Sequence, residues 1–245
     1  MIDEPPQPAG AHPVPVPGNH VFWGYDDLIL FGGALLPSIV LGMGASWAAR
    51  RLFGLDRNVG GLILQFAAYG GWFAALYLIF RLKYGQPFWE SLGWRLSPAR
   101  LAGSFVSGAA VAIGLIFVSV FLQKPAGDSP MQDLLNHQTT LILVGIFSTT
   151  LGPLCEELAF RGFLMPLFAQ TFGIAAGILL AAVPFALAHA PQYAYSWRHV
   201  ALIGLAGVAF GWHRFSTGST ASATVMHSGY NSVIFAGLLY ERYQW

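Results

Sequence analysis

The chain has 245 residues, 55% hydrophobic and 9% charged, with a mean hydropathy of +0.56 and a formal net charge of +1. A soluble domain carries about 25% charged residues; the deficit, together with apolar runs of about 20 residues, predicts an all-α polytopic membrane protein, a bundle of about seven transmembrane spans. The near-neutral balance excludes nucleic acid as a partner, since no basic stripe exists to neutralise phosphates, and the single Cys155 excludes an intramolecular disulfide.

Met1 to about His20 is Pro-rich and lacks apolar periodicity, which predicts a disordered or polyproline-II tail ahead of one membrane domain over residues 21–245. No cationic region precedes a hydrophobic core, so no cleaved signal peptide is expected. Leu28–Ala49 reads as a first span closed by Arg50-Arg51, and Val59–Phe80 as a second closed by Arg81 and Lys83. The link Gly85–Arg100 mixes Trp89 and Trp94 with Glu90, Arg95 and Arg100, a composition suited to a short interfacial helix. A third span covers Leu101–Leu122, and the polar connection Gln123–Gln138 carries Pro125-Ala126-Gly127. Thr139–Phe168 follows, longer than a bilayer requires, and its Gly152-Pro153 predicts a kink or restart. The last three spans are about Phe172–Ala190, with Pro184 inside, a short Gly-rich Val200–Trp212, and Ser219–Tyr240. Lys and Arg are shared almost equally between alternate connections, so the positive-inside rule does not orient the chain.

Within Thr139–Phe168, Glu156, Glu157 and Arg161 interrupt a hydrophobic run. Each ionised side chain at mid-bilayer costs about 2.5–3.5 kcal/mol on insertion scales, so their presence calls for a role. All other acids lie in the tail, in connections or at segment ends. Glu157 and Arg161 stand at i, i+4 in the favourable order for a helical ion pair. Glu156 points about 100° away and finds no local partner, which leaves it available as a general base. Among the histidines, His12, His20 and His137 fall in the tail or a connection, and His199 and His213 at segment ends. His189 and His227 sit among apolar residues, with Asn231 at i+4 from His227. An imidazole can accept or donate a proton near neutrality, and an Asn amide offers donors to a developing oxyanion. Depths agree only loosely. At the helical rise, Glu156 lies on the order of 20 Å, His189 on the order of 27 Å and Asn231 on the order of 18 Å from the same side.

Glu156-Glu157-x-x-x-Arg161, Phe185-x-x-x-His189 and His227-x-x-x-Asn231 occur in that order, each in a hydrophobic segment. The set resembles the three motifs of the CAAX protease and bacteriocin-processing family of intramembrane endopeptidases, which includes the type II CAAX prenyl proteases. The resemblance covers about residues 139–240. It implies a multi-pass enzyme of a prokaryotic cell (inner) membrane, with its site in a polar intramembrane cavity, that cuts a membrane-associated peptide or protein. Glu156, helped by His189, would activate water; His227 and Asn231 would stabilise the oxyanion; Glu157 and Arg161 would support the site. No cofactor is expected and no His-Glu-x-x-His motif occurs, although Glu156, His189 and His227 would be the ligands were zinc used.

The competing reading is a proton-coupled transporter, or a non-catalytic scaffold or immunity protein, since Glu and His in spans also relay protons. A transporter would be expected to show a matching repeat with broken helices, and none is apparent. The absence of paired intramembrane Asp and of Gly-x-Ser-Gly argues against aspartyl and rhomboid-like proteases. Cys155 reads as a small packing residue rather than a nucleophile.

Overall fold

A computed structural model describes residues 21–121 and 138–243, and every element in them is helical. The Pro-rich tail, most of the polar connection and His12, His20 and His137 lie outside the described residues. The first apolar run is nearly continuous, as α1 (Tyr25–Gly33) and α2 (Leu35–Phe53) meet at Ala34. Gly54 ends it in the left-handed conformation at φ 66°, with its N–H on the Arg50 carbonyl. Two residues on, Asp56 caps α3 (Arg57–Leu78) by accepting from the Asn58 and Val59 amides at 2.7 and 3.0 Å. A tight hairpin of two long helices results. Their seam is built on small residues, for a Cβ on Gly42 would collide with the Leu64 carbonyl.

A π-helical turn, Ile79–Lys83, prolongs α3. The expected interfacial helix is a single turn, α4 (Phe88–Ser91), which leaves Trp89 exposed and buries Phe88. Pro98 at the first turn opens α5 (Pro98–Ser119). Next come α6 (Gln138–Thr149), α7 (Leu151–Glu157), a π segment (Leu158–Leu164), α8 (Met165–Phe172), α9 (Ile174–Ala188), a 3-10 turn (Ala190–Tyr193), α10 (Trp197–Thr217) and α11 (Thr220–Tyr243). α5 packs along α11 with backbones almost touching; a Cβ on Gly108 would overlap the Met226 carbonyl, and one on Gly229 the Phe105 carbonyl.

One end of the bundle is tied by polar contacts. Tyr25 Oη donates to Thr171 Oγ1 at 2.8 Å, the Val21 amide to Gln170 Oε1 at 2.7 Å, and the Thr220 amide to the Gly93 carbonyl at 2.9 Å. Asp27 is buried there and accepts from Gly24 N–H, Lys83 Nζ and Tyr84 Oη at 2.9, 2.8 and 2.6 Å. Since α9 starts at this end, its C-terminal cap His189 lies towards the other.

Among the described residues, four helical stretches are long and apolar enough to cross a membrane: Tyr25–Phe53, Arg57–Lys83, Pro98–Ser119 and Thr140–Phe172. Ile174–Ala188 is apolar but only 15 residues long. The sixth expected segment is longer than its apolar stretch, because α10 runs 21 residues from Trp197 to Thr217. His213 therefore sits inside the helix and not at a segment end, whereas His199, the third residue of α10, does stand at its N-terminal end. His213 Nε2 lies 3.0 Å from Ser104 Oγ, and Arg214 is fully buried under the Gly93 turn. Polar side chains held by neighbouring helices let a helix continue where hydropathy alone would end it.

Candidate active site

The long segment breaks at Thr150 (φ −129°, ψ −81°), just before Gly152-Pro153. Pro153 thereby falls in the first turn of α7, where its missing N–H breaks no helical bond. Glu157 ends α7, and the next residues widen into the π segment, a feature frequent at functional sites. Its Leu158, Ala159, Arg161, Gly162 and Phe163 are all buried, so this stretch is enclosed by protein on nearly every side.

Glu157 is 0% and Arg161 1% exposed, and Arg161 Nη1 donates to Glu157 Oε1 at 2.8 Å. Arg161 Nη2 donates to the Gly207 carbonyl at 2.8 Å, so α10 holds the other side of the guanidinium. The rings of Phe185, Phe210 and Phe160 lie 4.3, 5.3 and 6.0 Å from its central carbon, which gives the cation an aromatic enclosure in place of water.

Both histidines are oriented through Nδ1. His227 Nδ1 lies 3.0 Å from Glu157 Oε1, and His189 Nδ1 lies 2.8 Å from the Phe185 carbonyl. A carbonyl only accepts, and so does a carboxylate paired with arginine, so each Nδ1 carries the proton. Each neutral ring then turns an unprotonated Nε2 elsewhere, and both turn it to the same place. His189 Nε2 is 3.6 Å and His227 Nε2 3.8 Å from Glu156 Oε2. These separations are too long for direct hydrogen bonds and of the kind a water bridges. With a side chain 19% exposed, Glu156 is also the more accessible of the two glutamates.

The loose agreement in depth is thus closed: residues from α7, α9 and α11 meet around one carboxylate. Asn231 stands one turn along α11, and its Nδ2 donates to the Ser148 carbonyl at 2.7 Å, bracing the end of α6 beside the break. Glu156, His189 and His227 are donor types that zinc takes. Among the described residues, however, no three His, Cys, Asp or Glu side chains gather as a metal-holding group. Cys155 is a free, half-buried thiol next to Glu156.

Gly207 and Phe210 had no functional signal in the sequence. A Gly-rich apolar run reads as helix packing, and a main-chain acceptor cannot be read from residue type. Tyr69 of α3 stacks its ring on that of Phe147, with centroids 6.0 Å apart, and so ties the N-terminal half to α6.

Residues 137–233, which contain all of the motif positions, match the family model described as Rce1-like type II CAAX prenyl endopeptidases. No curated protein and no solved structure matches the chain.

Proposed function

We propose that the chain, an integral membrane protein whose residues 137–233 match the family model of Rce1-like type II CAAX prenyl endopeptidases, is an intramembrane endopeptidase that works through a water activated by glutamate. The observation that carries this reading is the convergence of His189 Nε2 and His227 Nε2 on Glu156 Oε2 at 3.6 and 3.8 Å. A water in that gap has two protons to donate, one to Glu156 and one to an Nε2, so its lone pair is left for a carbonyl carbon.

The attack forms the C–O bond as Glu156 takes the water's proton. Negative charge then builds on the former carbonyl oxygen. His227, anchored through Nδ1 by the Glu157–Arg161 pair, keeps its unprotonated Nε2 on the remaining proton of the attacking hydroxyl, and the second N–H of Asn231, one turn away, donates to that oxyanion. Collapse breaks the C–N bond, and the proton held by Glu156 passes to the leaving amine. Fixed donors of this kind are typically worth 10²–10³ in kcat each.

The substrate class that fits the family is a membrane-associated, prenylated protein or peptide cut near its C-terminus, in a prokaryotic cell membrane. The test is cleavage of a farnesylated CAAX-type peptide by purified protein. Glu156→Gln is expected to remove activity while leaving the thermal unfolding curve in place; wild-type turnover by the variant would overturn the assignment. Chelators are expected to leave activity intact. Loss on chelation, restored by zinc, would instead assign Glu156, His189 and His227 as metal ligands. Proton-coupled flux in proteoliposomes without any cleavage would favour a relay over a peptidase.

A further inference from the structure

We propose that Phe210, seconded by Gly207 on the same face of α10, is a positioning residue that sets the plane of the His227 imidazole. The inference rests on His227 being a working group of the site described above.

A single hydrogen bond from Nδ1 to Glu157 fixes one point of the imidazole but leaves the ring free to swing about it. Swinging would carry Nε2 away from Glu156. Phe210 removes that freedom: its ring stacks on His227 with centroids 4.5 Å apart and planes at 23°. It is itself held, being 0% exposed and met edge-on by Phe185 at 6.2 Å and Tyr230 at 5.6 Å, both at 83°. The same ring lies 5.3 Å from the Arg161 guanidinium carbon, so one aromatic plate locates both the histidine and the cation that anchors its partner.

Gly207 stands three residues earlier, the spacing that puts two residues on one helical face. Its carbonyl accepts from Arg161 Nη2 at 2.8 Å. A Cβ there would come to 3.1 Å from Phe185 Cδ1, 3.2 Å from Ala182 Cβ and 3.3 Å from Arg161 Nη2, so only glycine lets α10 approach this closely without displacing its neighbours. α10 thereby supplies a fourth wall that no charged or imidazole side chain marks.

The experiment compares Phe210→Met, which keeps apolar volume but loses the ring, with Phe210→Tyr, which keeps the ring. Both are made in the full chain in detergent. Cleavage of the farnesylated peptide gives kcat and KM, and ¹⁵N–¹H spectra of labelled histidine, assigned with His227→Gln, report the tautomer of His227 and its Nδ1–H bond to Glu157, to which the ring current of Phe210 contributes little. Phe210→Met is expected to lower kcat on the order of 10–100-fold, the scale of a misplaced catalytic group, with KM little changed and the His227 resonance displaced. Phe210→Tyr is expected to keep both close to wild type. An unmoved His227 resonance in Phe210→Met, unchanged kcat, or equal loss in the two variants would overturn the proposal. If wild-type protein does not cut the peptide, the peptidase reading fails, whereas the histidine spectra still decide whether Phe210 orients His227.

Discussion

The hairpin Tyr25–Lys83 and the segment Thr140–Phe172 are both apolar and long enough to cross a bilayer, yet they are specified differently. The most hydrophobic windows of the two hairpin helices are each 17% buried in the protein, against 44% for Thr140–Phe172. On α2, Leu36, Val40, Leu41 and Trp47 point outward at 57–72% exposure. Lipid satisfies such side chains, so many apolar residues would serve. A buried polar group has no such latitude, because each unanswered donor or acceptor in an apolar medium costs several kcal/mol. Arg161 accordingly finds Glu157 and Gly207, and His227 finds Glu157. Glu156 instead faces two imidazoles at 3.6 and 3.8 Å without a direct bond, the gap that the proposed water would fill.

The strongest way to break this contrast is a near-isosteric change at Glu156 set beside a truncation on the lipid face. Glu156→Gln is expected to cost at least 10²–10⁴ in peptide cleavage, the usual worth of a general base, with no loss of thermal stability. Leu41→Ala, at a position 57% exposed, is expected to leave turnover unchanged. Equal activity in the two variants would mean the polar centre is not the working one.

Arg161→Met moves the effect from turnover to folding. It strands Glu157 as a buried charge with His227 as its remaining partner, and breaking a buried pair from one side costs about 3–5 kcal/mol. Adding Glu157→Gln removes the stranded charge, so the double variant is expected to regain most of the lost stability in detergent melts. Activity is expected to stay low, because His227 would then lack the carboxylate that orients Nδ1. Recovery of full activity in the double variant would reduce the pair to a packing element.

The helical architecture was readable because lipid demands it, and composition reports that demand directly. Glu156, Glu157, Arg161, His189 and His227 stood out in the sequence as polar residues isolated in apolar runs, but their depths agreed only loosely, and it is the folded geometry that brings them together. Positions set by backbone geometry were less legible. The break falls at Thr150 and not at Gly152-Pro153, because proline fits the first turn of a new helix. α10 outlasts its hydropathy because Ser104 receives His213 and the Gly93 turn covers Arg214. Gly207 contributes a carbonyl, which every residue possesses, so its identity carries no trace of that duty. Asn231 lies between these cases. Its place one turn from His227 follows from spacing, but its bond to the Ser148 carbonyl does not. Asn231→Ala is expected to lower kcat about 10²-fold as an oxyanion donor and stability by about 1 kcal/mol through the lost bond. A stability change alone would restrict Asn231 to bracing α6.

The smallest effects test whether the hairpin is specified at its seam and nowhere else. Gly42 and Gly44 lie two residues apart on α2 but face opposite surroundings. A Cβ on Gly42 would run into the Leu64 carbonyl of α3, main-chain atoms that cannot yield without moving the helix, whereas one on Gly44 meets nothing within 4 Å. Gly42→Ala is therefore expected to lower stability by about 1–3 kcal/mol, the range for overpacking. Gly44→Ala is expected to raise it by up to about 0.5–1 kcal/mol, because alanine loses less backbone freedom in a helix. Melting temperatures measured in one detergent give the comparison, and opposite signs are the expected result. Shifts of the same sign would place the contact between α2 and α3 on a different face from the one occupied by Gly42.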